Sequence, residues 1–180
     1  INGGKGNDTI DGGSGRDTAV FSSRNNRIDL RKTSRQNTRD GRDILRSIEN
    51  VNGGGGNDVI TGKRYSNTLN GGKGNDTING LAGNDTLKGG KGRDTLIGGK
   101  GVDKLYGGSG RDTFRVSKGS GYDVIKDFKD GTDRIHLGSL TSGISIRRSG
   151  RDARVFQNND LLAIVNKAGG KLSRQGNYLV

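Results

Sequence analysis

Between residues 53 and 115 the chain repeats every nine residues, seven times over, in the form Gly-Gly-x-Gly-x-Asp-x-U-x, where U is a large apolar residue. The unit Gly71-Gly72-Lys73-Gly74-Asn75-Asp76-Thr77-Ile78-Asn79 keeps every position, as do those starting at 89 and 107. A fixed period of this length builds a stack in which each unit packs against its neighbours, not a globular core. The x-U-x tail reads as a short strand, with U turned inward and the frequent Thr before it facing solvent. Ile60, Leu69, Ile78, Leu87, Leu96, Leu105 and Phe114 are therefore the expected core.

One buried apolar residue per nine gives little to set against the entropy of ordering nine backbones. A ligand and sheet hydrogen bonds must supply the rest, so the array is expected to be disordered without its ligand. The loop half of each unit says what that ligand is. Glycines let the backbone turn its carbonyl oxygens inward, and Asp adds charge. Calcium takes six to eight oxygen ligands in flexible geometry, which such a loop supplies without nitrogen or sulfur. The chain has no Cys and a single His, so thiolate and multi-histidine metal sites are excluded.

These residues resemble the RTX (repeats-in-toxin, hemolysin-type calcium-binding) family. The resemblance covers units starting at 3, 12, 53, 62, 71, 80, 89, 98 and 107, with shifted copies at Lys118-Gly119-Ser120-Gly121-Tyr122-Asp123 and Gly131-Thr132-Asp133. It implies an all-β fold: a right-handed parallel β-roll (a β-helix or solenoid) with a β-rich C-terminal cap, folding on several Ca2+ ions. Two units make one turn, and each ion sits between the loops of units n and n+2. One edge then carries Asp58, Asp76, Asp94 and Asp112; the other carries Asp85 and Asp103. Asp8 and Asp17 belong to the first units, Asp123 and Asp133 to the shifted copies. Carbonyl ligands are assigned to second and fourth glycines: Gly54, Gly56, Gly72, Gly74, Gly83, Gly90, Gly92, Gly99, Gly101, Gly108 and Gly110. The unit at 62 lacks two glycines and has Asn67 for Asp, so no ion is expected between Asn67 and Asp85; the unit at 80 has Leu81 for its second Gly.

The chain divides into N-terminal repeats (1–20), a basic insert (21–52), the main roll (53–137) and a C-terminal cap (138–180) that could also hold a type I secretion signal. Within the insert, Ile28-Asp29-Leu30 and Ile44-Leu45 read as the strands of a hairpin excursion, with Asp40-Gly41 as a turn. In the cap, Ile144–Ile146, Ala153–Phe156 and Leu161–Val165 read as strands, followed by a turn or short helix near Lys171. The chain shows no N-terminal signal-peptide pattern and opens at Ile1-Asn2, the last two positions of a repeat, as expected of a piece of a longer array. The resemblance implies export and an extracellular or cell-surface location. No stretch is long and apolar enough to span a membrane as a helix.

Other signals are weaker. Gly99-Lys100 lacks the spacing of a phosphate-binding loop. Asn7-Asp8-Thr9, Asn75-Asp76-Thr77 and Asn84-Asp85-Thr86 match the glycosylation acceptor pattern because the repeat generates it. His136, between Ile135 and Leu137, reads as a solvated strand position, and no catalytic triad can be built around it. The chain is therefore expected not to be an enzyme. Its charge is unusual for an array of aspartates: 31 Lys and Arg against 19 Asp and Glu, net +12. Lys73 and Lys91 should stack on one edge, with Arg93 above Arg111, pointing to an anionic partner: an acidic polysaccharide, a cell-envelope surface with anionic headgroups, or an acidic protein complex. Nucleic acid fits poorly, since four Phe and four Tyr offer little base stacking. The reading is a calcium-folded structural, adhesive or scaffold module. Its alternatives are the non-catalytic C-terminal roll of a secreted metalloprotease or lipase, and a basic linker in an acidic assembly.

Overall fold

The structure, a computed structural model, describes residues 1–118, 121–140, 142–168 and 172–180. Two parallel sheets face each other across one line of apolar side chains. The first runs through β2 (Thr18–Val20), β6 (Asn50–Gly55), β8 (Thr68–Lys73), β10 (Thr86–Lys91), the end of β11 (Thr95–Ser109) and β13 (Gly121–Ile125). The second runs through β3 (Arg27–Asp29), β7 (Val59–Thr61), β9 (Thr77–Ala82), the start of β11, β12 (Thr113–Arg115) and β14 (Arg134–His136).

Alternate units fall in alternate sheets, because one unit is too short to close a turn and two suffice. Leu69, Leu87 and Leu105 are register partners in the first sheet. Ile60, Ile78, Leu96, Phe114 and Ile135 are register partners in the second. Every expected core residue from Ile60 to Phe114 is fully buried.

The insert differs from the expected hairpin excursion. Its strands form, but β3 pairs with β7, placing Ile28 beside Ile60. β5 (Arg42–Arg46) lies parallel to β1 (Thr9–Asp11) with Leu45 beside Ile10, and antiparallel to β4 (Gln36–Asn37) across the Asp40-Gly41 turn. The insert is thus wound into the stack, because Ile28, Leu45 and Val51 each stand where a unit needs its inward residue. Thr38-Arg39-Asp40-Gly41-Arg42-Asp43-Ile44-Leu45-Arg46 is a disguised repeat. Its Arg39 has φ 75°, the left-handed conformation held elsewhere by the second glycine.

β15 (Ile144–Ser149), β16 (Asp152–Gln157) and β17 (Asp160–Val165) form an antiparallel meander whose last strand lies parallel to β13. β18 (Arg174–Gln175) and β19 (Tyr178–Leu179) form a small hairpin on β14. Together they cover the open end of the stack, burying Ala153, Val155, Ala163, Val165 and Leu179. The turn or helix expected near Lys171 lies outside the described residues, as do Gly119 and Ser120. His136 is half-buried rather than solvated, 4.9 Å from the Tyr178 ring, and its Nδ1 accepts the Gly138 N–H at 3.3 Å.

Candidate metal centre

The repeat aspartates of the main roll use their two carboxylate oxygens differently. Oδ1 accepts the backbone N–H of the residue one turn earlier: Asp76 from Asp58 at 2.7 Å, Asp94 from Asp76 at 2.8 Å, Asp112 from Asp94 and Asp133 from Asp112 at 3.0 Å. On the opposite edge Asp103 accepts from Asp85, and Asp85 from Asn67, both at 2.7 Å. The aspartates thus lie in the two rows that the 18-residue period dictates, zipped by their own backbone.

Oδ2 has no such partner, except in Asp133, where it accepts the Lys129 N–H at 2.9 Å. In Asp8, Asp17, Asp58, Asp76, Asp85, Asp94, Asp103 and Asp112 it is buried and accepts no hydrogen bond, as is Oδ1 of Asp123. A buried carboxylate oxygen with no donor is costly unless the group is protonated or meets a cation. The first glycine of each unit leaves room for this oxygen. A Cβ on Gly53, Gly71, Gly80, Gly89, Gly98 or Gly107 would fall 2.2–2.5 Å from the Oδ2 of its own unit's aspartate. A Cβ on Gly53 would also sit 2.8 Å from the Gly71 carbonyl oxygen, and one on Gly80 would sit 2.7 Å from that of Gly98. Carboxylate and the next turn's first carbonyl therefore face one space. Sequence reasoning placed carbonyls only on second and fourth glycines; the role of the first was legible in its invariance along this chain.

The second and fourth glycines hold φ between 89° and 129° from Gly54 to Gly110, and they stack in contact. A Cβ on Gly90 would meet the Gly72 carbonyl oxygen at 2.1 Å, and one on Gly92 the Gly74 carbonyl oxygen at 2.0 Å. Among the described residues no three His, Cys, Asp or Glu side chains converge. Side chains alone thus build no metal site, and carbonyls must complete the shell, as a hard, oxygen-seeking ion of flexible coordination requires. The residues present fit Ca2+.

Burial raises the aspartate pKa values: Asp58, Asp85 and Asp94 up to about 7, and Asp76, Asp103, Asp112 and Asp133 in the same direction. Asp123 reaches about 9, by burial first and then by the charge of Asp103, its register partner. A divalent ion would reverse this by favouring the charged form.

The fifth position carries a second ladder that sequence reasoning missed. Asn57 Oδ1 accepts the Asn75 N–H and Asn75 Oδ1 the Arg93 N–H, both at 2.7 Å, while Asn84 Oδ1 accepts the Val102 N–H at 2.9 Å. Asn7 Oδ1 likewise accepts the Arg42 N–H at 2.9 Å. The acceptor-like triplets are thus built into the stack. Lys73 and Lys91 are register partners, and both are exposed, as are Arg93 and Arg111. None of the four makes an ion pair among the described residues, where acids pair instead with Arg24, Arg31, Lys63 and Lys118.

No individual curated protein matches the chain. Residues 1–19, 52–87 and 79–114 match the family described as the RTX calcium-binding nonapeptide repeat (4 copies). These segments hold eight of the aspartates with an orphaned oxygen, Asp8 to Asp112. The nonapeptide units of this chain are RTX calcium-binding repeats, and the roll they build binds several Ca2+ ions.

Proposed function

We propose that this chain is the calcium-folded structural roll of an exported protein, and that it docks through its cationic edge on an anionic surface. The orphaned buried oxygens of Asp8, Asp17, Asp58, Asp76, Asp85, Asp94, Asp103, Asp112 and Asp123 support the first half most directly. The proposed ligands are these oxygens, Asp133, and the carbonyls of the first, second and fourth glycines. Export follows from family resemblance and suits the site. Extracellular calcium near millimolar matches the weak class of extracellular modules, whereas cytosolic calcium would leave such a chain unfolded.

The unequal aspartates give a test. Asp94 lies between Asp76 and Asp112 in one zipped row. Asp94→Ala should lose about two ions by native mass spectrometry, counting one on each side. Asn67→Ala should lose none, because the Asn67 amide already donates to the Glu49 carbonyl at 2.7 Å and accepts the Lys63 N–H at 2.7 Å. Equal losses overturn the assignment of ions to the aspartate rows.

The docking half rests on the stacked pair Lys73 and Lys91 with Arg93 and Arg111 beside them. Adjacent strands lie about 4.8 Å apart, so these charges repel unless an external anion lies against them. An acidic polysaccharide offers carboxylates at repeating intervals and is the preferred partner. Binding to alginate beads in calcium should weaken steeply with salt. Replacing the four residues by Ser should abolish most of it at unchanged calcium content. Undiminished binding would leave the edge as solvated charge.

A further inference from the structure

Four residues stand at the aspartate position of degenerate units: Asn26, Asp43, Glu49 and Asn67. The ladder identifies them, since Asp58 Oδ1 accepts the Asn26 N–H at 2.6 Å, Asp43 Oδ1 the Asp8 N–H at 2.9 Å, and Glu49 Oε2 the Asp17 N–H at 3.1 Å. In each, a side-chain group of the chain itself meets the loop, through Nδ2 alone at Asn26, whose Oδ1 stays buried without a partner.

Asn26 shows this most fully. Its Nδ2 donates to the carbonyl oxygens of Ser22 at 3.2 Å, Arg24 at 2.9 Å and Gly53 at 3.0 Å. Those three are the second and fourth positions of its own unit and the first of the next turn. Their stacking proves the equivalence. A Cβ on Gly54 would meet the Ser22 oxygen at 2.5 Å and one on Gly56 the Arg24 oxygen at 2.6 Å, as Gly72 meets Gly54 and Gly74 meets Gly56. At Asp43, Oδ2 accepts the Thr38 hydroxyl. Thr38 occupies the first position of its unit, where the consensus needs Gly to leave the carboxylate room. At Glu49, Oε1 pairs with the Lys63 ammonium at 3.2 Å.

We infer that residues 21–52 are a calcium-independent stretch of the same roll, in which the Asn26 amide, the Thr38 hydroxyl and the Lys63 ammonium take the place of ions. The inference rests on the calcium reading of the consensus units and extends it to where the ions stop. The carbonyl cage at Ser22, Arg24 and Gly53 is a calcium cage closed by an amide. The cage at Asp43 is closed by a hydroxyl. The row beginning at Asp58 therefore has an end that the chain itself finishes, and the insert needs no metal to join the stack.

Restoring the consensus should restore the sites. Asn26→Asp gives the cage a carboxylate, and Thr38→Gly removes the hydroxyl from Asp43. Each variant should bind one calcium more than the parent by native mass spectrometry, and the double variant two more. Thr38→Ser keeps the hydroxyl and should gain none. Should a variant fold poorly, anomalous scattering from the calcium-loaded parent decides independently: ion peaks beside Asp76 and Asp94, and none among the Ser22, Arg24 and Gly53 carbonyls or beside Asp43. A parent peak in either degenerate cage, or unchanged stoichiometry in both folded variants, overturns this inference alone. A parent that binds no calcium overturns the reading of the whole roll, and this inference with it.

Discussion

A single residue position in this fold answers to two demands at once, and the first glycine of each unit shows how. Gly89 is extended and could accept a side chain by conformation, yet a Cβ there would lie 2.3 Å from Asp94 Oδ2. Gly90 carries φ 118° and meets the preceding turn. Gly89→Ala should therefore abolish ion binding at that loop, while Gly90→Ala should destabilise by at least about 1–2 kcal/mol through the left-handed backbone alone. Calcium stoichiometry separates the two, and loss of equal numbers of ions by a still folded Gly90→Ala would merge them. The aspartates add a pH dependence. Their folded pKa values lie above the ordinary 3.8, so without calcium the folded chain binds more protons than the unfolded one. Stability of the calcium-free roll then falls as pH rises from about 4 through about 7, with no further change below the lower limit. Calcium must displace those protons, so its affinity should climb with pH over the same window, by up to about tenfold per pH unit for each proton released. A calcium midpoint unchanged between pH 5.5 and 8 would contradict this.

At the scale of elements, the strand tails and their inward residues were legible because period and burial coincide: one apolar residue in every nine, always at the same place. The aspartate rows were legible for the same reason. The insert was not, because its units keep only what packing requires. Ile28, Leu45 and Val51 hold the inward position, but Arg39 stands for a glycine at φ 75° and Asn26 for an aspartate. A search for glycines finds only Gly41 at 21–52, whereas one for an inward apolar residue two positions after Asn, Asp or Glu finds Asn26-Arg27-Ile28, Asp43-Ile44-Leu45 and Glu49-Asn50-Val51. The asparagine ladder was hidden because its signal, Asn at the fifth position, looks like the start of a glycosylation triplet. These elements share one core, so Leu96→Ala, which empties a fully buried position between Ile78 and Phe114, should cost about 2–5 kcal/mol. It should raise the calcium concentration needed for folding without removing a ligand. A variant with the parent's calcium midpoint would show that core and ions are not coupled.

Over the whole molecule, two families of charge occupy separate places. Ten aspartates of the repeats and shifted copies stand in the loops, and the surplus of basic residues that leaves the chain at +12 lies over the insert, the roll edges and the cap. Calcium neutralises the first and leaves the second, so the folded roll is more cationic than the formal charge, as the proposed docking on an anionic surface requires. Folding and charge are thus set together by one ligand. Far-UV circular dichroism of the chain across a calcium titration tests this most directly. Chelator-treated protein at neutral pH should show mostly disorder, and calcium should restore β structure in one cooperative transition that magnesium, with its stricter octahedral geometry, reproduces poorly. A chelated chain that keeps its full β spectrum and its melting temperature would contradict the account.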